Sequence, residues 1–243
     1  MIDFHTHILP AVDDGSQSAE ESLKMVTSLK SQGIDTAVVT PHFYADEDNP
    51  RRFGKRRTEA MQKLNDMLKG SSTEFNIVPG AEVAYFEGIS DCEEILDMKI
   101  GDTPVMLIEM PFSSWSERML NELDGIYYKN GTIPLLAHLD RYIRMFNNKK
   151  LADKLSGLPV LVQVNTSFFL DKKFSKLAFS MLTKGQIHVI GSDCHNMDSR
   201  KPNMDEAMQV IEKNLGHNYI HELEHNERVI FSSERERIER LFI

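Results

Sequence analysis

The sequence predicts an α/β protein, a distorted seven-stranded (β/α) barrel of the TIM-like kind, from three observations. Seven apolar runs of strand length alternate with stretches of helical periodicity, the pattern of a parallel sheet with crossover helices. His5, His42, Glu82, Glu109, His138, Asn165 and Asp193 each fall at the C-terminal end of their own run. A closed barrel gathers such ends into one mouth, whereas an open sheet would string them along a line. The chain length of 243 residues suits one α/β barrel, so residues 1–243 are read as a single domain.

Ile2 and Phe4 mark the first strand, and His5 and His7 leave it together, with Pro10 and Gly15 punctuating the loop beyond. Ser18 and Glu21 have the form of a capping box opening a helix that runs through Leu23, Val26 and Leu29 to Gly33. Residues 36–40 read as a buried strand whose exit carries His42. The basic stretch 51–57 then leads into a helix through Met61, Leu64 and Leu68 that stops at Gly70. Its charges suit a solvated helix face or a docking surface for an acidic ligand. Residues 75–82 form the third strand, 85–103 an irregular insertion, and 104–109 a fourth strand closing on Glu109. A carboxylate that ends an apolar run is costly to bury without a partner or a cation. Helix over 115–128 precedes the fifth strand, 132–138, which ends on His138 with Arg141 three residues on. A helix through Leu151 and Leu155 leads to the sixth strand, 160–165. Helix over 174–182 leads to the seventh, 187–193, followed by Cys194, His195 and Arg200. The last fifty or so residues read as helical, most clearly 204–215, with Ile238, Leu241 and Phe242 packing the end down.

Composition narrows the function. A net charge of −9 argues against nucleic acid as the main partner, since that affinity comes from neutralising phosphates with Lys and Arg. An anionic substrate must then be held by local positive charge, from metals or a few arginines. No basic and apolar leader opens the sequence and no apolar run reaches membrane-spanning length, so a cytoplasmic protein without membrane insertion is expected. Two cysteines, Cys92 and Cys194, are too few for a disulfide framework and agree with a reducing compartment.

Nine residues of metal-ligand type occupy strand ends or the loops just beyond: His5, His7, Asp14, His42, Glu82, Glu109, His138, Asp193 and His195. Singly, each is as ordinary as any polar group at a strand end. Together, imidazoles and carboxylates without finger-spaced thiolates suit Mn, Fe, Co or Zn, and nine donors suffice for three ions if one carboxylate bridges. One competing pattern is present. Cys194 and Arg200 have the C-x5-R spacing of cysteine-dependent tyrosine phosphatases, but no glycine between them lets backbone N–H groups wrap a phosphate. His217, His221 and His225 recur at helical steps and read as a solvated face.

These residues carry a resemblance. The opening MIDFHTHILPAVDDG, TPH at 40–42, GAE at 80–82, IE at 108–109, AHLDR at 137–141 and GSDCH at 191–195 resemble, in order, the polymerase and histidinol phosphatase superfamily. Within it they resemble the bacterial metal-dependent protein-tyrosine phosphatases of capsular and exopolysaccharide clusters. Asp14, where several members use histidine, and Glu109 are what look like that branch. The resemblance implies one metal on His5, His7, Glu82 and Asp193, a second on Glu82, Glu109 and His138, and a third on Asp14, His42 and His195. It implies Mn²⁺ as the usual ion, Arg141 and Arg200 as phosphate-binding groups, and in-line attack of metal-bound hydroxide on phosphotyrosine without a covalent phosphoenzyme. The implied partner is the tyrosine-rich tail of a membrane-associated bacterial kinase. Histidinol phosphate or another small phosphomonoester, a phosphodiester, or a non-catalytic role holding a phosphoprotein remain alternatives.

Overall fold

The computed structural model describes residues 1–242, an α/β fold in which parallel strands curve as a half-barrel sheet with helices outside. In chain order the strands are β1 (Ile2–Thr6), β2 (Thr36–Val39), β3 (His42–Phe43), β4 (Asn76–Pro79), β5 (Glu82–Ala84), β6 (Val105–Glu109), β7 (Ile133–Leu136), β8 (Leu161–Asn165) and β9 (Val189–Gly191). The helices are α1 (Ala19–Ser31), α2 (Pro50–Gly70), α3 (Glu117–Asn130), α4 (Leu139–Phe146), α5 (Leu151–Leu155), α6 (Ser167–Leu170), α7 (Ser175–Thr183), α8 (Met204–Leu215), α9 (Asn218–Phe231) and α10 (Arg235–Glu239).

Hydrogen bonding divides the strands into β1-β2-β4 and β3-β5-β6-β7-β8-β9, every pairing parallel. A single parallel bridge, Thr6 to Cys194, joins β1 to the chain just after β9. It is reinforced by Asp193 N–H to the His5 carbonyl at 2.8 Å and His7 N–H to the Cys194 carbonyl at 3.0 Å. The apolar runs are buried on both faces, as parallel strands under helices require: β6, β7 and β8 have no exposed residue.

The strand expected at 36–40 ends at Val39, and beyond Pro41, which cannot donate to the ladder, the chain adds a separate short strand; the strand expected at 75–82 breaks at Gly80-Ala81. Glu82 therefore opens the short β5 and His42 opens β3, instead of closing longer strands. The seventh strand is also shorter than 187–193, so Asp193 sits two residues beyond β9.

Several helices begin where the sequence leaves a choice. Asn49 caps α2 by accepting from Arg52 N–H at 2.9 Å, so the basic stretch 51–57 lies in the opening turns of that helix and not in a segment before it. Its other face buries Phe53, Ala60, Leu64 and Leu68 at helical spacing. Ser18 caps α1 through Glu21 N–H, but the Glu21 carboxylate accepts from Gln17 N–H, so only half of the capping box forms. The helix expected through Leu151 and Leu155 is the short α5, and a separate helix, α4, starts directly after His138. The insertion 85–103 holds two 3-10 turns, Ile89–Asp91 and Glu93–Met98. Among the described residues no helix is long and apolar enough to cross a membrane.

Candidate metal centre

All nine candidate donors converge at one end of the sheet. Nε2 of His5 is 3.0 Å from Nε2 of His7, 3.2 Å from Glu82 Oε2 and 3.7 Å from Asp193 Oδ1. His7 Nε2 is 3.3 Å from Glu82 Oε2 and 3.6 Å from Asp193 Oδ1. Donors held about 2.0–2.2 Å from a divalent ion stand roughly 3.4 Å apart in a tetrahedral shell, so this spacing fits one. Glu82 turns its other oxygen to His138 Nε2 at 2.8 Å, and the same nitrogen is 3.2 Å from Glu109 Oε1. Asp14 Oδ1 is 3.4 Å from both His42 Nε2 and His195 Nε2. The Nε2 of His195 is buried and has no hydrogen-bond partner, an orphan aimed at the exposed Asp14 carboxylate. The donor set therefore fits the implied ions.

Geometry also ties the three groups together more tightly than the motif order implies. His7 lies within reach of Asp14, His42 and His195, and His42 Nδ1 is 3.0 Å from Glu82 Oε2.

The backbone brings these side chains together at some cost. His138 and Asp193 have φ of 31° and 54°, in the left-handed region that non-glycine residues avoid. Such strain, of order 1–3 kcal/mol each, is sustained where surrounding contacts over-determine it. Two glycines allow close approach: a Cβ on Gly15 would meet the His7 carbonyl at 2.2 Å, and one on Gly191 would meet the His5 Cβ at 2.5 Å.

Electrostatics follow from burying carboxylates among imidazoles. Burial works against ionised Glu82, but His5, His138 and His42 around it hold its carboxyl well below the usual range. Asp193 is likewise held down against burial, by His5, Arg141 and His7. Burial would lower His7 and His138, yet carboxylates outweigh it: Asp13 and Glu82 push His7 up to about 10, and Glu109 and Glu82 push His138 up to about 9. His195, buried and facing His7, is pushed down to about 3.

Arg141 and Arg200 both reach the centre, and both grip Asp193. Arg141 Nη2 pairs with Asp193 Oδ2, and Arg200 Nη2 donates to Oδ1 at 2.7 Å. Each guanidinium remains about one-third exposed, with further N–H donors to spare.

The supporting groups were less legible. Asp13 accepts from His7 Nδ1 at 2.7 Å and from the His42 backbone N–H at 3.0 Å. Gln163 Oε1 is 3.2 Å from His5 Nδ1 and accepts from His138 N–H at 2.6 Å. Asn165 donates to Asp193 Oδ2 at 2.8 Å. The signals were the doubled aspartate at 13–14 and one amide inside an otherwise apolar strand.

Other candidates resolve differently. The Cys194 thiol is fully buried, and burial, with Asp3 nearby, pushes it well above its ordinary value. A thiol buried in the core and pushed up in pKa lacks the access and the lowered pKa of a nucleophilic cysteine, which argues against the mechanism that the C-x5-R spacing spells. Cys92 is half-buried and its thiol donates to Glu94. Within the basic stretch, Arg52 and Arg56 pair with Asp48, and Arg57 donates to the Gly80 and Asp97 carbonyls. Arg52 and Arg56 nevertheless line a cavity of about 580 Å³ shared with Asp14, His42 and Tyr44. His217 and His221 are exposed and face Glu212 and Glu224 at 2.9 and 3.2 Å, and His225 is exposed on the same helix.

The chain is 29% identical over 245 residues to the tyrosine-protein phosphatase YwqE of Bacillus subtilis, covering 96% of this chain and 92% of that protein. It is 32% identical over 231 residues to the tyrosine-protein phosphatase CpsB of Streptococcus pneumoniae, covering 89% and 91%. A chain from the crystal structures of those two proteins, described as unique metal-dependent tyrosine phosphatases, superposes with a TM-score of 0.84 at 27% identity, covering 96% and 95%. The phosphotriesterase homology protein of Escherichia coli shares the fold alone, with a TM-score of 0.56 at 10% identity over 95% and 98%. The family model for capsular polysaccharide synthesis proteins, CpsB/CapC, matches residues 1–231, and the chain belongs to that family.

Proposed function

We propose that this chain is a metal-dependent protein-tyrosine phosphatase acting on a tyrosine kinase that controls capsular or exopolysaccharide synthesis. The observation that carries the reading is the meeting of nine donors with two arginines at one mouth. The relatives' names point to the same reaction. On this reading residues 1–243 are one cytoplasmic domain, a seven-rung barrel. Counting β2 with β3 and β4 with β5 as interrupted strands, and taking the Thr6–Cys194 bridge as closure, supports that count.

His5, His7, Glu82 and Asp193 would hold one ion, Glu82, Glu109 and His138 a second, and Asp14, His42 and His195 a third, with Mn²⁺ the ion we favour. Bound divalent cations supply Lewis-acid charge and lower the pKa of water toward neutrality. The chain's own residues do the rest. Arg141 and Arg200 hold phosphoryl oxygens with the donors that Asp193 does not use. Asp13 and Gln163 fix the ring orientations of His7 and of His5. Phenolate, with a pKa of about 10, leaves with little protonation help.

The test is turnover of a phosphotyrosyl peptide against histidinol phosphate with Mn²⁺ added. Preference for the peptide is expected. Preference for histidinol phosphate would replace the substrate, and no turnover of either would leave a binding role.

A further inference from the structure

Apolar rings are left in water at both edges of the metal centre. Phe112 is 44% exposed and Tyr44 36% exposed, and they are two of five large hydrophobic side chains so exposed among the described residues. Each lies flat against a candidate ligand. Tyr44 stacks on His42 with ring centroids 5.5 Å apart and planes 27° apart. Phe112 stacks on His138 at 5.8 Å and 13°, and on Tyr142 at 5.1 Å and 24°.

Those two histidines stand on opposite oxygens of one carboxylate. His42 Nδ1 is 3.0 Å from Glu82 Oε2, and His138 Nε2 is 2.8 Å from Glu82 Oε1. A ring on each side of Glu82 therefore borders the place where a phosphate would meet the cations. Phe112 is also held from below: Tyr142 is buried and donates its hydroxyl to the Met110 carbonyl at 2.6 Å. Tyr44 is one wall of the cavity that opens beside Asp14 and His42.

We propose that Tyr44 and Phe112 are specificity-determining residues that flank the aryl ring of the substrate and select aryl over alkyl phosphates. Metals and arginines recognise phosphate whatever carries it, and the leaving group affects only the rate, so a preference in binding for an aryl over an alkyl phosphate must come from groups beyond the phosphate. Offset or edge-on aromatic contacts are each worth about 2- to 10-fold in affinity. The inference rests on the phosphotyrosine reading for its substrate, but its test does not depend on turnover.

The experiment measures binding of phenylphosphonate and methylphosphonate to the Mn²⁺-loaded protein by calorimetry. The wild-type chain should prefer the phenyl compound by about 10-fold or more. Phe112→Ala and Tyr44→Ala should each lose about threefold of that preference, and the double variant should bind both compounds within about twofold. Phe112→Tyr and Tyr44→Phe should keep the preference. Methylphosphonate affinity and bound metal should stay at wild-type levels throughout, which separates ring recognition from damage to the centre. An unchanged preference in the double variant, or equal loss of both ligands, overturns the proposal. Intact preference without phosphatase turnover would instead sink the proposed reaction and leave the aromatic flanks standing.

Discussion

His7 and Asp13 are joined within one loop, imidazole Nδ1 to carboxylate at 2.7 Å, and that contact decides which nitrogen His7 presents to the centre. With Nδ1 committed, Nε2 faces His5, Glu82 and Asp193. Asp13→Asn keeps the shape but removes the charge that fixes the ring. Metal affinity should fall about 10- to 100-fold, as for other carboxylates behind a metal-bound histidine. Titration of the chelated protein with Mn²⁺ measures it, and wild-type affinity would make Asp13 a loop-forming residue only.

Asp13 also shows what sequence could and could not reveal. The nine donors were legible because ligand-type residues recurred at corresponding strand ends, a relation that survives without coordinates. Asp13 sits beside Asp14 in sequence, and only the path of the loop determines that Asp13 turns inward to His7 while Asp14 stays 67% exposed. The short strands β3 and β5 are not legible as separate elements, because two or three residues are too few to show a strand periodicity. The left-handed backbone at His138 and Asp193 leaves no compositional mark, since neither residue is glycine.

Metal dependence follows from the orphaned Nε2 of His195 and the donor groups around it. Chelation should abolish phosphatase activity and Mn²⁺ should restore it. His195→Ala should lower bound metal by about one ion per chain, because its group offers few other donors, and should cut activity severely. Elemental analysis beside activity checks both, and full activity with only trace metal would end the idea.

Arg141 and Arg200 share Asp193, so either alone still holds that carboxylate. Arg141→Ala or Arg200→Ala should lower kcat/KM by about 2–4 kcal/mol of transition-state stabilisation with metal content unchanged. The double variant should also lose metal affinity, since Asn165 would then be the one side chain left hydrogen-bonding Asp193. Near-wild-type kinetics in both single variants would refute the phosphate-binding role.

Cys194 is enclosed in the core, with its backbone in the bridge that joins β1 to the end of β9. Cys194→Ser should keep activity within a few-fold and lower stability by about 1–3 kcal/mol, the cost of burying a hydroxyl where a thiol packs. No phosphocysteine should be trapped. Loss of turnover in a folded, metal-loaded Cys194→Ser would reinstate the thiol as nucleophile.

His188 allows a pH prediction clear of the metal centre. Its Nδ1 accepts from Val162 N–H at 2.9 Å and its Nε2 donates to the Leu241 carbonyl at 2.7 Å, so the neutral ring ties β8 to the chain end. Burial holds it down at about 4, below its ordinary 6.5. The native state therefore resists a proton that the unfolded chain takes up below about pH 6.5. Its contribution to stability is complete above that pH and declines as pH falls, levelling off near pH 4 after a loss of about 3 kcal/mol. Asp3 and Glu227 act in the opposite sense, because burial raises them to about 6 and about 8, so total stability need not follow His188. The comparison with His188→Gln isolates the effect, since that amide can accept and donate in the same two directions without titrating. Denaturant unfolding of chelated wild type and variant should show the wild type losing about 3 kcal/mol relative to the variant between pH 7 and pH 4. Parallel pH curves would mean that His188 is protonated in the folded chain or solvated in it, and either would contradict the two hydrogen bonds that define its place.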